Sequence, residues 1–324
     1  MVKRIGVLTS GGDAPGMNVC IRAIVKSCIA QGGTVFGIED GFQGLIEGRI
    51  NELTYQHVNN IIHLGGTILG SARSKEFLTI EGRAMAINNC EENNLDALIV
   101  IGGDGTYKGA LQLSKESSIP VIGIPGTIDN DIASTDLTIG FDTCLNTVIQ
   151  AVDKISDTAT SHHRVFFVEV MGRHSGQIAY HAAIACGADH VLIPETKTNI
   201  NELAQQLATA KGDRSSIVIV AEGDDEGDGQ QLVNEIKPLL PSFDIKYSKL
   251  GHIQRGGSPS ASDRILATRM GDYAVSLLVK GLYNQLIVIK NGIVTHIELT
   301  SSTIEYKDEH TKNRQLLDRM LTRH

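Results

Sequence analysis

Apolar residues gather in short unbroken runs, and most of these runs end in a polar stretch that carries glycine. Residues 4–9 (RIGVLT), 34–38 (TVFGI), 97–101 (ALIVI) and 121–124 (VIGI) are too short for helices and lack polar alternation. Each therefore reads as a strand buried on both faces. Residues 19–33 (VCIRAIVKSCIAQGG) predict a helix with a glycine stop, and a second helix is expected around 106–117. The logic then repeats. Leu145, Val148, Ile149, Val152 and Ile155 put an apolar stripe on a helix over roughly 142–159, a pattern that reads as core. Further strand runs follow at 164–170 (RVFFVEV), 217–223 (IVIVAEG) and 244–250 (DIKYSKL). The acidic, glycine-rich stretch 222–231 (EGDDEGDGQQ) reads as a flexible surface loop, and 256–281 predicts a long helix followed by edge structure.

Strands that alternate with helices predict an α/β fold, its parallel sheets covered by helices on both faces. Such sheets bind ligands beyond the carboxyl ends of their strands. The polar loops at 10–16, 102–106 and 125–131 all follow strands, so they should line one edge. A chain of 324 residues favours two domains over one. Short-period repeats, linker tracts and coiled-coil heptads are not seen.

Composition narrows the function. Hydrophobic residues make up 41% and charged residues 20%, as in ordinary soluble globular proteins. A net charge of −8 argues against a general nucleic-acid or anionic-membrane binder, which needs a basic surface. No apolar run approaches the ~20 residues of a membrane helix. The beginning, MVKRIGVLTSGGD, lacks the apolar core of a signal peptide. Five scattered cysteines, without a CxxC pair, read as thiols in a reducing compartment. The expectation is a cytoplasmic protein without nucleic-acid or membrane partners.

Three loops carry the candidate chemistry. In GGDGT (102–106), glycines let a phosphate approach the backbone amides, and the next helix aims its N-terminal amides at that anion. Asp104 would repel the phosphate unless Mg²⁺ lay between them, and Mg²⁺ favours one or two carboxylates plus phosphate oxygens and water. The same residues also suit a tight turn whose Asp caps a helix. TSGGDAPGMN (9–18) is a second glycine-rich turn, equally readable as a phosphate cradle or an ordinary strand-to-helix connection. Neither a Walker A pattern nor a dinucleotide fingerprint is present. PGTIDND (125–131) carries Asp129 and Asp131, two apart, which on an extended tip would point differently. One could accept a proton from an alcohol that attacks phosphorus. Both could equally make Asx turns. Cations sit at predicted strand ends in HHR (162–164), MGRHSG (171–176), Lys246 and HIQR (252–255), where they could bind phosphate. Together these features describe a phosphotransferase.

The motifs LTSGGDAPGMN, GGDGT, PGTIDND, MGRHSG and LGHIQRGGSPSASDRILA, in that order, resemble the bacterial ATP-dependent 6-phosphofructokinases over essentially the whole chain. The resemblance implies a homotetramer that transfers the γ-phosphate of ATP to the 1-hydroxyl of fructose 6-phosphate. It implies two α/β domains, each a mainly parallel sheet sandwiched by helices, with the active site in the cleft between them. Residues 1–139 and 254–304 would form the nucleotide-binding domain, and 140–253 and 305–324 the sugar-phosphate domain.

Carried over residue by residue, Asp129 is the expected base, with Thr127 and Asp131 beside it and Asp104 serving Mg²⁺. Gly12, Arg73, Ser74, Gly103, Asp104, Gly105 and Thr106 should hold ATP. Arg73 and Arg173 should neutralise the transferring phosphoryl group. Thr127, Met171, Gly172, Arg173, Glu222, His252 and Arg255 should hold the sugar phosphate, and Arg164 and Lys246 should reach it from a neighbouring subunit. Pyrophosphate-using relatives carry Asp at the place of Gly105 and Lys at that of Gly126, so the two glycines speak for ATP. An NAD or lipid kinase, or a catalytically silent subunit, fits the motif set less well.

The resemblance also shows departures. Lys246 stands where relatives have Arg and loses the bidentate fork. In the allosteric pocket, Arg22, Lys26 and Lys211 remain as contacts, but Tyr55, Ser156 and Asp213 replace basic residues, and Asp189 replaces a metal-binding Glu. A weak response to ADP and phosphoenolpyruvate is expected.

Overall fold

A computed structural model describes residues 3–209, 215–223 and 229–304. In the first part of the chain β1 (Arg4–Thr9), α1 (Met17–Ala30), β2 (Thr34–Ile38), α2 (Gly41–Ile46), β3 (Ile50–Leu53), α3 (Tyr55–Val58), α4 (Ile80–Glu92), β4 (Ala97–Gly102), α5 (Asp104–Glu116) and β5 (Val121–Pro125) follow one another. After α6 (Phe141–His162) come β6 (Val165–Val170), α7 (Gln177–Cys186), β7 (His190–Leu192), α8 (Ile200–Thr209), β8 (Ser216–Ala221), α9 (Gly229–Ile236) and β9 (Ile245–Lys249). The last elements are α10 (Ala261–Val279), β10 (Gln285–Lys290) and β11 (Ile293–Glu298).

By contacts the chain divides into two units. The first runs to Ile128, takes in Ile132–Thr143 and resumes at Arg255. Asp129–Asp131 and Cys144–Gln254 belong to the second. Residues 305–324, expected in the sugar-phosphate domain, lie outside the described residues.

The first unit holds a seven-stranded sheet in the order β11-β10-β5-β4-β1-β2-β3. Its inner pairs are parallel, and β3 and β11 close the edges antiparallel. β4 is buried at all six positions, as a strand covered on both faces must be. On one face Leu8, Leu98, Val100, Tyr107 and Leu286 join a large apolar cluster. α1 packs against α10. Gly271 permits the close approach, because a Cβ there would stand 2.8 Å from the Cys20 carbonyl oxygen.

The second unit holds a wholly parallel sheet in the order β7-β8-β6-β9. Val165, Phe167, Val218, Val220 and Ile245 pack there against Leu203, Leu207, Leu232 and Val233 of α8 and α9. The strands expected from the sequence are present with small shifts at their ends. One expectation needs correction. The stretch 222–231 is not loop throughout, because α9 begins at buried Gly229. The cause is distant in sequence: the Glu169 carboxylate accepts the Gly229 N–H at 2.7 Å and seats the helix start.

Candidate active site

In the first unit β1, β4 and β5 lie side by side and parallel, so the loops after them share one edge. Hydrogen bonds lace these loops together. The Ser10 N–H donates to the Ile101 carbonyl and the Gly126 N–H to the Gly102 carbonyl, each at 3.0 Å. The Thr106 hydroxyl donates to the Ser10 carbonyl, also at 3.0 Å. That hydroxyl is thereby committed to joining two loops. Gly102 is dictated by the same junction, since a Cβ there would lie 2.4 Å from the Ser10 oxygen. The Arg255 guanidinium lies against Gly12, where a Cβ would come within 1.9 Å of Nη1. Nη1 is 4.0 Å from Asp13 Oδ1, and the buried Nε has no hydrogen-bond partner among the described residues.

Asp104 is the first residue of α5, and Gly103 occupies the cap position. The capping role open to Asp104 in the sequence therefore falls to a residue without a side chain. The Asp104 carboxylate stands in the first turn, where the helix dipole favours negative charge. Its Oδ2 accepts from Lys108 Nζ at 3.0 Å, and the side chain is 25% exposed. A partly exposed carboxylate between two glycines fits Mg²⁺, which takes few protein ligands when phosphates supply the rest.

Gly105 faces open space, with no atom within 4 Å of a built Cβ. Gly126 differs, because its Cβ would meet Ile101 at 2.9 Å and Met17 at 3.2 Å. The first glycine leaves room for a ligand; the second is required by packing. Arg73 is exposed. Ser74 is engaged locally: its hydroxyl donates to Gln43 Oε1 at 2.6 Å and accepts the Phe77 N–H at 3.1 Å.

The acidic loop is a turn, which corrects the extended tip expected from the sequence. Asn130 adopts left-handed backbone at φ 47°, a conformation Asn tolerates better than most residues. Asp129 is 5% exposed. The Ser175 hydroxyl donates to the Asp129 carbonyl at 3.2 Å. The Thr127 carbonyl accepts from the Thr138 hydroxyl at 2.6 Å.

In the second unit the loops after β6, β8 and β9 also share one edge. The Glu222 N–H donates to the Val170 carbonyl at 2.9 Å, and the Leu250 N–H to the Glu169 carbonyl at 3.0 Å. Glu222 Oε1 accepts the Arg173 N–H at 3.2 Å. Arg173 is held in left-handed backbone at φ 54° with its side chain exposed. Gly172 has φ 142°, and a Cβ there would lie 2.3 Å from the Ser175 carbonyl oxygen. Buried Gln254 ties Met171 to the turn Gly251–Arg255, where His252 is exposed. The structure thus gathers Met171, Gly172, Arg173, Glu222 and His252 at one sheet edge.

Arg164 and Lys246 stand at the other edge. Arg164 precedes β6, and Lys246 is the second residue of β9. Both hold the Asp244 carboxylate, Arg164 Nε at 2.6 Å and Lys246 Nζ at 2.8 Å. These partners keep the Asp244 carboxyl below its ordinary range, the Lys246 hydrogen bond first and Arg164 next.

The residues expected to bind an effector are divided between the two units. Arg22 and Lys26 lie on α1, and the Lys26 ammonium is 5.8 Å from the Tyr55 ring centre. Asp189 belongs to the second unit, where its Oδ2 accepts the Ile217 N–H at 2.8 Å and clasps the start of β8. Ser156 is on α6. Lys211 and Asp213 lie outside the described residues.

Gln254 and Asp244 hold site residues in place, and Glu169 seats α9, without being candidate site residues themselves. Gln254 lies inside the GHIQR motif, and Asp244 is two residues from Lys246, so both carried a local signal. Glu169 carried none, because its partners Gly229, Tyr247 and Lys249 are 60 to 80 residues away.

A family model described as phosphofructokinase matches residues 4–278. The chain is 50% identical over 311 residues to the ATP-dependent 6-phosphofructokinase of Bacillus subtilis (strain 168), covering 94% of this chain and 96% of that protein. Among solved structures, phosphofructokinase from Saccharomyces cerevisiae superposes with a TM-score of 0.84 at 36% identity. That match covers 98% of this chain, which spans only 46% of the yeast chain. A pyrophosphate-dependent phosphofructokinase from Marinobacter aquaeolei gives a TM-score of 0.87 at 22% identity, covering 99% of this chain and 91% of that one. At that identity the likeness concerns the fold alone. No described helix is long and apolar enough to cross a membrane.

Proposed function

The chain belongs to the phosphofructokinase family, and from that premise we propose that it transfers the γ-phosphate of ATP to the 1-hydroxyl of fructose 6-phosphate. The products are fructose 1,6-bisphosphate and ADP. The observation that carries this reading is the acidic loop: a buried Asp129 on a turn, in a chain half identical to an ATP-dependent bacterial enzyme.

Asp129 accepts the proton of the 1-hydroxyl as it attacks phosphorus. Thr127 and Asp131 complete the loop. Gly12, Arg73, Ser74 and the turn Gly103–Thr106 receive ATP, with backbone amides toward its phosphates. Asp104 would hold Mg²⁺, which would supply positive charge beside the phosphates. Arg73 and Arg173 oppose the charge that spreads over the transferring phosphoryl oxygens. Met171, Gly172, Glu222, His252 and Arg255 hold the sugar phosphate. Residues 1–139 and 254–304 serve the nucleotide, and 140–253 with 305–324 the sugar. A cytoplasmic setting suits five cysteines that are all free thiols.

Arg164 and Lys246 support a shared site. They stand at the amino ends of β6 and β9, whereas Met171 and His252 stand past the carboxyl ends. Six residues of strand span about 20 Å. One phosphate cannot bridge that length, which supports the reading that the two cations serve a substrate held by another copy, as in a homotetramer.

A coupled assay with fructose 6-phosphate and Mg²⁺, comparing ATP with pyrophosphate, tests the reading. Turnover with ATP alone supports it. Turnover with pyrophosphate, or with neither donor, refutes it.

A further inference from the structure

Arg164, Asp244 and Lys246 are placed by the sheet itself. β6 and β9 pair in parallel, Val165 opposite Ile245 and Phe166 opposite Lys246. The Val165 N–H donates to the Asp244 carbonyl at 3.2 Å, which fixes Asp244 beside Arg164. Asp244 immediately precedes β9 and stands two residues before Lys246, so the extended chain turns both side chains to one face. One carboxylate therefore meets both cations, Oδ2 with Arg164 Nε and Oδ1 with Lys246 Nζ.

The way the carboxylate binds matters. It takes the Nε–H of Arg164 and leaves the Nη1/Nη2 edge, one of the two edges that can fork a phosphate. It takes one direction of the Lys246 ammonium, which carries three donors. All three side chains are partly exposed, at 28%, 46% and 44%. Exposed ion pairs add little stability, so fold stability alone is a weak reason for the trio. Its electrostatic effect is larger. Two positive charges are reduced to a net one, and a negative charge stands where a phosphate dianion would arrive.

We infer that Asp244 is a built-in counter-ion that sets the affinity of this cation pair for a sugar phosphate. The inference rests on the reading of Arg164 and Lys246 as phosphate ligands. The carboxylate holds the two long side chains at the sheet edge and competes with the incoming anion for them. Affinity is thereby held below what two unopposed cations would provide. Repulsion between the carboxylate and a bound dianion acts over a few ångströms and outweighs the loss of a partly exposed ion pair.

Steady-state kinetics of the full-length enzyme tests this at saturating ATP. Asp244→Asn keeps the shape and removes the charge. Its KM for fructose 6-phosphate should fall about fivefold, with the KM for ATP unmoved. Inorganic phosphate, used as a competitive inhibitor, should tighten in parallel. The KM of the variant should also rise more steeply with KCl than that of the wild type. Arg164→Ala is the control on the underlying reading and should raise the same KM. If Arg164→Ala raises KM while Asp244→Asn leaves it unchanged or raises it, the counter-ion is overturned and the phosphate reading stands. If Arg164→Ala leaves KM unchanged, both fall. A lower Tm for Asp244→Asn with unchanged KM would mark a structural residue and also overturn the inference.

Discussion

The Met171 N–H donates to Gln254 Oε1 at 3.2 Å, and the Nε2 of the same amide donates to the Gly251 carbonyl at 2.9 Å. Gln254 is wholly buried. One side chain thus fixes two loops proposed to hold the sugar phosphate, one after β6 and one after β9. Gln254→Ala should raise the KM for fructose 6-phosphate about tenfold and leave that for ATP near its original value. Gln254→Glu, which keeps the acceptor for Met171 and loses the donor to Gly251, should fall between them. Equal loss toward both substrates would mean general damage to the fold.

Asp129 is the base in the proposed reaction, and it lies on a turn outside every helix and strand. Asp129→Ser should therefore fold normally and lower kcat by about 10²–10⁴. Circular dichroism and a coupled assay on the same preparation check both halves. Near-normal turnover would remove Asp129 from the mechanism.

Much of this arrangement was legible in advance, for a physical reason. β1, β2, β4 and β5 are buried on both faces, so each must be a continuous apolar run, and their polar loops must share an edge. The edge strands lack that signature. β3 reads INEL with its middle exposed, and β11 is half-buried for most of its length, so neither alternates cleanly. The sequence after α10 predicts only edge structure, yet β10 lies inside the sheet between β5 and β11. The start of α9 depends on Glu169, 60 residues earlier, and the turn at Asp129 on left-handed Asn130. Both depend on tertiary context that a local pattern does not carry.

The two glycines linked to the choice of donor are not equivalent. Gly105 faces open space, so Gly105→Asp should fold with an unchanged Tm and weaken ATP binding by about tenfold or more, through charge beside the phosphates. Gly126 packs against Ile101 and Met17, so Gly126→Lys should cost about 1–3 kcal/mol of stability before any effect on the donor. Thermal denaturation beside donor kinetics separates the two. A stable Gly126→Lys protein would show that the packing argument is wrong.

The Lys26 ammonium lies 5.8 Å from the centre of the Tyr55 ring, and Tyr55 stands where the resemblance implies a basic residue. A cation–π contact at an exposed site is weak and supplies no donor to a phosphate. The rate should therefore depend hyperbolically on fructose 6-phosphate, and ADP or phosphoenolpyruvate should change KM less than about twofold. Tyr55→Arg should enlarge the ADP effect. A sigmoidal wild-type response relieved by ADP would refute the eroded pocket.

Gly12 and Arg255 form one of the closest contacts of the first unit. A methyl group at Gly12 would lie 1.9 Å from Arg255 Nη1, so the guanidinium must retreat by about 1.5 Å to reach ordinary contact distance. The obstructing atom is the end of a flexible side chain, so Gly12→Ala should fold with a Tm near that of the wild type. Displacement of a charged group by more than an ångström costs about 10²-fold in a positioned reaction. Gly12→Ala should therefore lower kcat/KM for fructose 6-phosphate by about that factor and raise the KM for ATP as well, because Gly12 is assigned to ATP and Arg255 to the sugar phosphate. Arg255→Ala should weaken the sugar phosphate and leave ATP nearly untouched. If both variants instead impair ATP alone, Arg255 belongs to the nucleotide, consistent with its seat on the Gly12–Asp13 turn.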